Sequence, residues 1–112
     1  MAAVDKTDIF RSYRRTAMKT LIVGGVAGGA SAAVRLRRLR EHDDIIVFEK
    51  GEYVSYANCG LPYYIGGIIE KKRALTVQTP RQLKDRFNID VRIKSLVESI
   101  DAKAKKIGRA HV

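Results

Sequence analysis

The stretch "TLIVGGVAGGASAAVRLRRL" (20–39) constrains the fold more than any other part of this 112-residue chain. Leu21-Ile22-Val23 is a short, wholly apolar run of the kind buried in a parallel sheet. It stops at Gly24-Gly25. From Gly28 the pattern turns helical: Gly29, Ala32/Ala33, Leu36 and Leu39 recur at three- and four-residue spacing, while Arg35, Arg37, Arg38 and Arg40 lie off that stripe. "IIVFEK" (45–50) is a second apolar strand that finishes at Glu49. Strand, glycine turn, helix and strand in this order form a βαβ unit, whose crossover is expected to be right-handed.

Glycines in such a turn let backbone approach a pyrophosphate, and the helix that follows offers it free N–H groups and the positive end of its dipole. Against the pattern G-x-G-x-x-G, Gly24 is the first glycine and Gly29 the third. Val26 stands at the middle position, with Gly25 and Gly28 close by. Glu49 follows Gly29 by twenty residues, at the end of the next strand, where an acid accepts hydrogen bonds from a ribose. The spacing predicts a dinucleotide site; the plainer alternative is a tight helix–strand turn with no ligand.

Further along, "TPRQLKDRFN" (79–88) predicts a helix with Thr79 as N-cap and Pro80 at the first helical position. "IDVRIKSLVESID" (89–101) alternates through Ile89, Val91 and Ile93, then less regularly through Val97 and Ile100. It reads as strand structure with a weaker second half. Residues 1–17 have no sustained periodicity and are read as a disordered or artefactual extension; "GRAHV" (108–112) is left as an unassigned tail.

The chain carries a formal charge of +10 with a pI near 10.1, which calls for an anionic partner. The basic residues are scattered, with part of the excess in "RSYRR" (11–15) and "KAKKIGR" (103–109), and the few aromatics do not interleave with them. Nucleic-acid binding is therefore not expected, and small phosphorylated ligands account for the charge as well. A single cysteine excludes an internal disulfide. The apolar run from Leu21 to Val34 is too short and too glycine-rich to span a bilayer, so no membrane association is expected. A cytoplasmic protein is the resulting expectation. His42 and His111 are isolated, so no metal site is expected.

That cysteine, Cys59, lies in "YVSYANCGLPYYIGG" (53–67), among Ser55, Asn58, Gly60, Pro62 and four tyrosines. Pro62 fits the first turn of a helix. This sets Cys59 at or just before a helix start, where the local field favours a thiolate. The alternative is a small buried apolar residue. Ser31, Arg35 and Arg38, spaced by four and three, share one helix face on which two arginines could clamp phosphate oxygens; a solvated basic face is the plain alternative.

"KTLIVGGVAGGASAAVRLRRL", "IIVFEKGEYVSYANCGLPYYIGG" and "TPRQLKDRFNIDV" together resemble the N-terminal FAD-binding part of the single-cysteine pyridine nucleotide–disulfide oxidoreductases. Within that group the sequence is most similar to coenzyme A disulfide reductase and its NADH oxidase, NADH peroxidase and persulfide reductase relatives. The resemblance implies an α/β fold, a Rossmann-like βαβ FAD-binding domain spanning residues 18–107 and truncated relative to the family. It implies FAD on Gly24, Gly28, Gly29, Glu49 and the backbone near Val97, with NAD(P)H as electron donor. Cys59 would be the redox cysteine. Ser31, Arg35, Arg38, Ser55 and Asn58 would contact a coenzyme A-type substrate, and disulfide, persulfide or oxygen substrates all occur in the group. Where the coenzyme A disulfide reductase pattern has a lysine after Arg86, this chain has Phe87. Full-length relatives are homodimers, and a chain of this length is expected to be incomplete as an enzyme and to retain flavin weakly or not at all. The rival expectations are a non-catalytic dinucleotide-binding module and a polyanion-binding basic protein.

Overall fold

The computed structural model describes residues 17–111. The expected N-terminal extension therefore lies outside the described residues except for Ala17. The elements are β1 (Lys19–Val23), α1 (Ala27–Leu39), β2 (Asp44–Phe48), a 3-10 turn (Asn58–Gly60), α2 (Leu61–Ile65), a second 3-10 turn (Lys72–Leu75), α3 (Pro80–Phe87), β3 (Asp90–Arg92), β4 (Ser95–Asp101) and β5 (Lys106–His111). Strands β1, β2 and β3 form a parallel sheet in that order, and β4 and β5 form a separate antiparallel hairpin. A mixed α/β fold with parallel strands joined through helices matches the architecture expected from the sequence.

Alternation along β2 divides the sheet's two faces. Ile45 and Val47 enter a core with Ala33 of α1, Val54, Leu83 of α3 and Ile89, and Ile22, Val91 and Phe87 pack against it. Ile46 and Phe48, one residue out of phase, face the opposite side. There Phe48 is buried but Val23 of β1 is 53% exposed. Helices thus cover one face of the sheet, and only the Phe48 end of the other is covered.

Helix α3 starts as its sequence dictates. Thr79 accepts a hydrogen bond from Gln82 N–H at 3.1 Å, and the Gln82 side chain accepts from Thr79 N–H at 2.9 Å, a complete capping box. Asn88 ends the helix in the left-handed conformation, at φ 50°.

Helix α1 keeps part of its expected stripe: Gly29 packs against Gly24 and Ile22, Ala33 is buried in the core and Leu36 packs against it. The stripe fails at its C-terminal end, where Leu39 is 65% exposed and Arg37 is buried instead. Its Nε donates to the Phe87 carbonyl at 2.8 Å and its Nη2 to the Asn88 carbonyl at 2.9 Å. Its Nη1 donates to the carbonyls of Arg40 (3.1 Å) and Glu41 (2.8 Å). One guanidinium therefore satisfies the orphan carbonyls at the C-terminal ends of both α1 and α3. Beside it, buried Asp43 accepts from Arg40 and, at 3.1 Å, from Met18 N–H. The bond from Arg40 holds the Asp43 carboxyl below its ordinary range against the opposing effect of burial. The stability it contributes is present above the unfolded value of about 3.9 and is lost as pH falls through the lowered folded value.

Two further differences concern the C-terminal third. The expected strand over 89–101 is split, because Lys94 turns the chain at φ 50° between β3 and β4. The second half is the longer strand, because β5 supplies its partner. β5 also runs through the residues left as an unassigned tail, pairing Arg109 with Val97 and Ala110 with Leu96.

Replacing Arg37 with Lys keeps the charge but cannot reach four carbonyls. It should cost about 2–3 kcal/mol, read as a lower urea midpoint at unchanged slope; an unchanged midpoint would show that the two helix ends do not depend on it.

Candidate functional site

The site is built where β1 and β2 end. Gly24 takes φ 91°, a conformation that glycine adopts without strain, and its N–H donates to the Phe48 carbonyl at 2.8 Å. Gly25 N–H donates to Glu49 Oε2 at 2.8 Å. A Cβ on Gly25 would lie 2.8 Å from Val54 Cγ1, and one on Gly29 would lie 1.7 Å from the Gly24 carbonyl oxygen. These two glycines are therefore demanded by packing of helix against strand. Gly28 differs: a Cβ there would meet nothing within 4 Å.

At the start of α1 the N-cap is Val26, which has no side-chain acceptor to offer, and the first turn carries no acid. The first N–H groups of the helix accordingly have no side-chain cap, and a Cβ on Gly28 would meet open space, an arrangement that suits a phosphate. Glu49 is 6% exposed. Oε1 accepts from Gly51 N–H at 2.9 Å while Oε2 holds Gly25. A carboxylate retains lone pairs beyond these two bonds, so it can still accept from a ribose hydroxyl. The glycine cradle, the free helix start and the acid together fit a dinucleotide such as FAD.

The cysteine segment hangs from the same turn. Ser55 N–H donates to the Gly25 carbonyl at 2.7 Å, and the Ser55 carbonyl accepts from Val77 N–H at 2.9 Å. These bonds hold Ser55 at φ 49°, a sparsely populated conformation for a residue with a side chain. Tyr56 pairs with Thr76 across an isolated bridge, and Val54 and Leu75 are the segment's buried anchors. Beyond this base Asn58, Cys59 and Gly60 form a 3-10 turn that leads directly into α2, with Pro62 in its first turn. Cys59 is exposed. It is therefore placed at a helix start, and it is no core residue.

The other residues singled out from the sequence are placed as follows. Ser31, Arg35 and Arg38 are all exposed along α1, on a face distinct from buried Ala30, Ala33 and Arg37. Asn58 is exposed next to Cys59, and Val97 is half-buried on β4 opposite Arg109. Gly24, Gly25, Glu49 and Ser55 are joined through hydrogen bonds among themselves and to Phe48. The structure adds Gly25 to the residues that matter, a position the G-x-G-x-x-G template passes over because its register assigns no role there. Phe87, where a lysine was expected from the pattern, packs half-buried against the core. Among the described residues no helix is long and apolar enough to cross a membrane.

Comparison with known proteins agrees with this geometry. Residues 18–112 match the family model described as pyridine nucleotide-disulphide oxidoreductase. The coenzyme A disulfide reductase of Staphylococcus epidermidis strain ATCC 35984 is 51% identical over 74 residues, which is 66% of this chain and 17% of that protein. The crystal structure of reduced Bacillus anthracis CoADR-RHD superposes with a TM-score of 0.84 at 53% identity, covering 88% of this chain and 18% of that one. The NAD-dependent persulfide reductase from A. fulgidus gives a TM-score of 0.79 at 36% identity, over 82% of this chain and 17% of that one. This chain thus spans under a fifth of the length of each of these three relatives. Family members use FAD, with NAD(P)H as the electron donor. With the family model matched over residues 18–112, the chain belongs to the pyridine nucleotide-disulphide oxidoreductase family and corresponds to an N-terminal part of it.

Proposed function

We propose that this chain is the dinucleotide-cradling and thiol-bearing segment of an FAD-dependent NAD(P)H:disulfide oxidoreductase that acts on a small sulfur substrate of the coenzyme A disulfide type. The observation that carries the reading is the attachment of both functional elements to Gly25, whose N–H binds Glu49 and whose carbonyl binds the Cys59 segment through Ser55. Gly24, Gly28 and Gly29 would hold the FAD pyrophosphate, Glu49 the adenosine ribose, and the backbone near Val97 the adenine. When bound, FAD supplies the two-electron carrier between NAD(P)H and sulfur. Cys59 supplies the nucleophile: its sulfur attacks one sulfur of a disulfide, the S–S bond breaks, a thiolate leaves, and Cys59 remains in a mixed disulfide. Ser31, Arg35, Arg38, Ser55 and Asn58 would bind the substrate, the two arginines engaging its phosphates. The activity of the complete enzyme, its homodimer and its place in the cytoplasm belong to the same proposal. The alternative, a nucleotide-binding module without redox chemistry, draws on the single glycine cradle within these residues.

Two measurements test the reading. Titrating FAD into the chain should give saturable but weak binding, too readily reversed for flavin to be retained through gel filtration, and Glu49→Gln should weaken it by about tenfold through loss of a charge-assisted acceptor. Absence of saturation, or equal affinity in the variant, would contradict the cofactor assignment. Mass spectrometry of Cys59 after exposure to coenzyme A disulfide should show the mixed disulfide. Arg35→Ala/Arg38→Ala should slow its formation by about five- to tenfold while leaving labelling by uncharged disulfides unchanged. Equal slowing with both reagents, or none with either, would remove coenzyme A from the reading.

A further inference from the structure

The turn that carries Cys59 closes on itself and rests on one residue. Gly60 N–H donates to the Ala57 carbonyl at 3.0 Å, so residues 57–60 form a closed loop that includes Cys59. Ala57 N–H donates to the Leu75 carbonyl at 2.7 Å, which ties the first end of the loop to the second 3-10 turn. The other end meets the side chain of the same residue: a Cβ on Gly60 would lie 2.5 Å from Leu75 Cδ2 and 3.5 Å from Ile69 Cδ1. Leu75 therefore holds the loop at both ends, by its backbone at Ala57 and by its side chain at Gly60.

Gly60 lies at φ −83° and ψ −10°, helical angles that any residue adopts. Glycine is required there for space and not for conformation. Leu75 is 1% exposed, although it lies outside the core cluster built around Ile45, Val47 and Leu83. Its neighbours in the second 3-10 turn, Lys72, Arg73 and Ala74, are all exposed. Because Leu75 is enclosed, its Cδ2 cannot swing aside as the end of an exposed side chain would. Cys59 itself is exposed, so it takes its place from this loop and not from burial of its own side chain.

We propose that Leu75 is a positioning residue for Cys59, acting through its close contact with Gly60 to set how the thiol is presented to a bulky disulfide; this rests on the reading that Cys59 attacks a disulfide of the coenzyme A type. In that attack the Cys59 sulfur bonds one sulfur of the disulfide, the S–S bond breaks and a coenzyme A thiolate leaves. The two sulfurs need a set approach, and a misplacement of about 1 Å is enough to slow such a step severely. A methyl group at Gly60 would lift the loop off Leu75 and carry Cys59 with it. A large substrate anchored elsewhere, by Arg35 and Arg38 in the same reading, cannot follow the thiol. A small uncharged disulfide reaches an exposed thiol from many directions and would not register the shift.

The test is a volume-exchange series on the full chain, with circular dichroism establishing that each variant is folded. Gly60→Ala adds a methyl group to the loop, Leu75→Val removes a methylene beneath it, and the double variant restores the summed volume. Mass spectrometry follows mixed-disulfide formation at Cys59 with coenzyme A disulfide and with uncharged hydroxyethyl disulfide. Gly60→Ala should slow the reaction with coenzyme A disulfide by about fivefold and alter that with hydroxyethyl disulfide by less than about twofold. The double variant should return to within about twofold of wild type with both reagents. Leu75→Val alone loosens the seat and should slow coenzyme A disulfide by about two- to threefold with the same selectivity, which decides the matter if Gly60→Ala does not fold. Unchanged rates in either single variant would overturn the proposal, as would failure of Leu75→Val to rescue Gly60→Ala. Equal change with both reagents would assign Gly60 to the folding of the loop alone and overturn it too. A wild-type chain whose Cys59 forms no mixed disulfide with coenzyme A disulfide would bring down the substrate reading itself, and the positioning role with it.

Discussion

The structure depends on one hydrogen bond, from Gly25 N–H to the buried carboxylate of Glu49. A carboxylate with so little solvent access is costly to bury unless its oxygens are engaged, and backbone donors from Gly25 and Gly51 engage both of them. The bond fastens the turn after β1 to the end of β2 and so fixes the direction in which α1 starts. The carbonyl of the same residue receives Ser55 N–H, which sets where the cysteine segment leaves the sheet. With Val54 and Val47 against its Cα, Gly25 admits no side chain. Three constraints meet at one residue, and the helix start and the cysteine segment are tied to it.

Much of this was legible in the sequence where the information is local. The run Leu21–Val23, the glycines and the stretch ending at Glu49 read correctly as strand, turn, helix and strand because short continuous apolar runs and helical spacing leave distinct periods. Thr79, Pro80 and Gln82 specify a helix start through bonds within four residues. What escaped the sequence is non-local. Arg37 sits among exposed arginines in the pattern, and only the meeting of two helix C-terminal ends makes it a buried residue. The split at Lys94 and the strand β5 become visible only when the hairpin closes, since Lys103 and Lys105, counted in the sequence only as part of the C-terminal charge excess, occupy its turn. The candidate site was legible to a similar depth: the glycine turn and its acid follow from spacing, whereas Gly25 as the shared anchor follows only from the folded chain.

The partial covering of the sheet bears on function. Helices pack on one face, and on the other the hairpin reaches the Phe48 end while Val23 stays exposed at the edge strand. Parallel strands as apolar as β1 are ordinarily covered on both faces. Glu49 and Phe48 are buried at that end, together with Ser95 at the start of the hairpin. The segment carrying Cys59 is more open, with Tyr63 and Ile65 exposed around it.

An adenine dinucleotide held at the glycine-turn end of the parallel sheet would be read in the amide chemical shifts of the 15N-labelled chain during titration with FAD. Shifts are expected to concentrate at Gly24–Gly29, Glu49, Ser55 and the start of the hairpin, saturating together with a single affinity. Shifts confined to the opposite end of the strands, around Lys19, Asp44 and Asp90, or no saturable shifts at all, would contradict that placement.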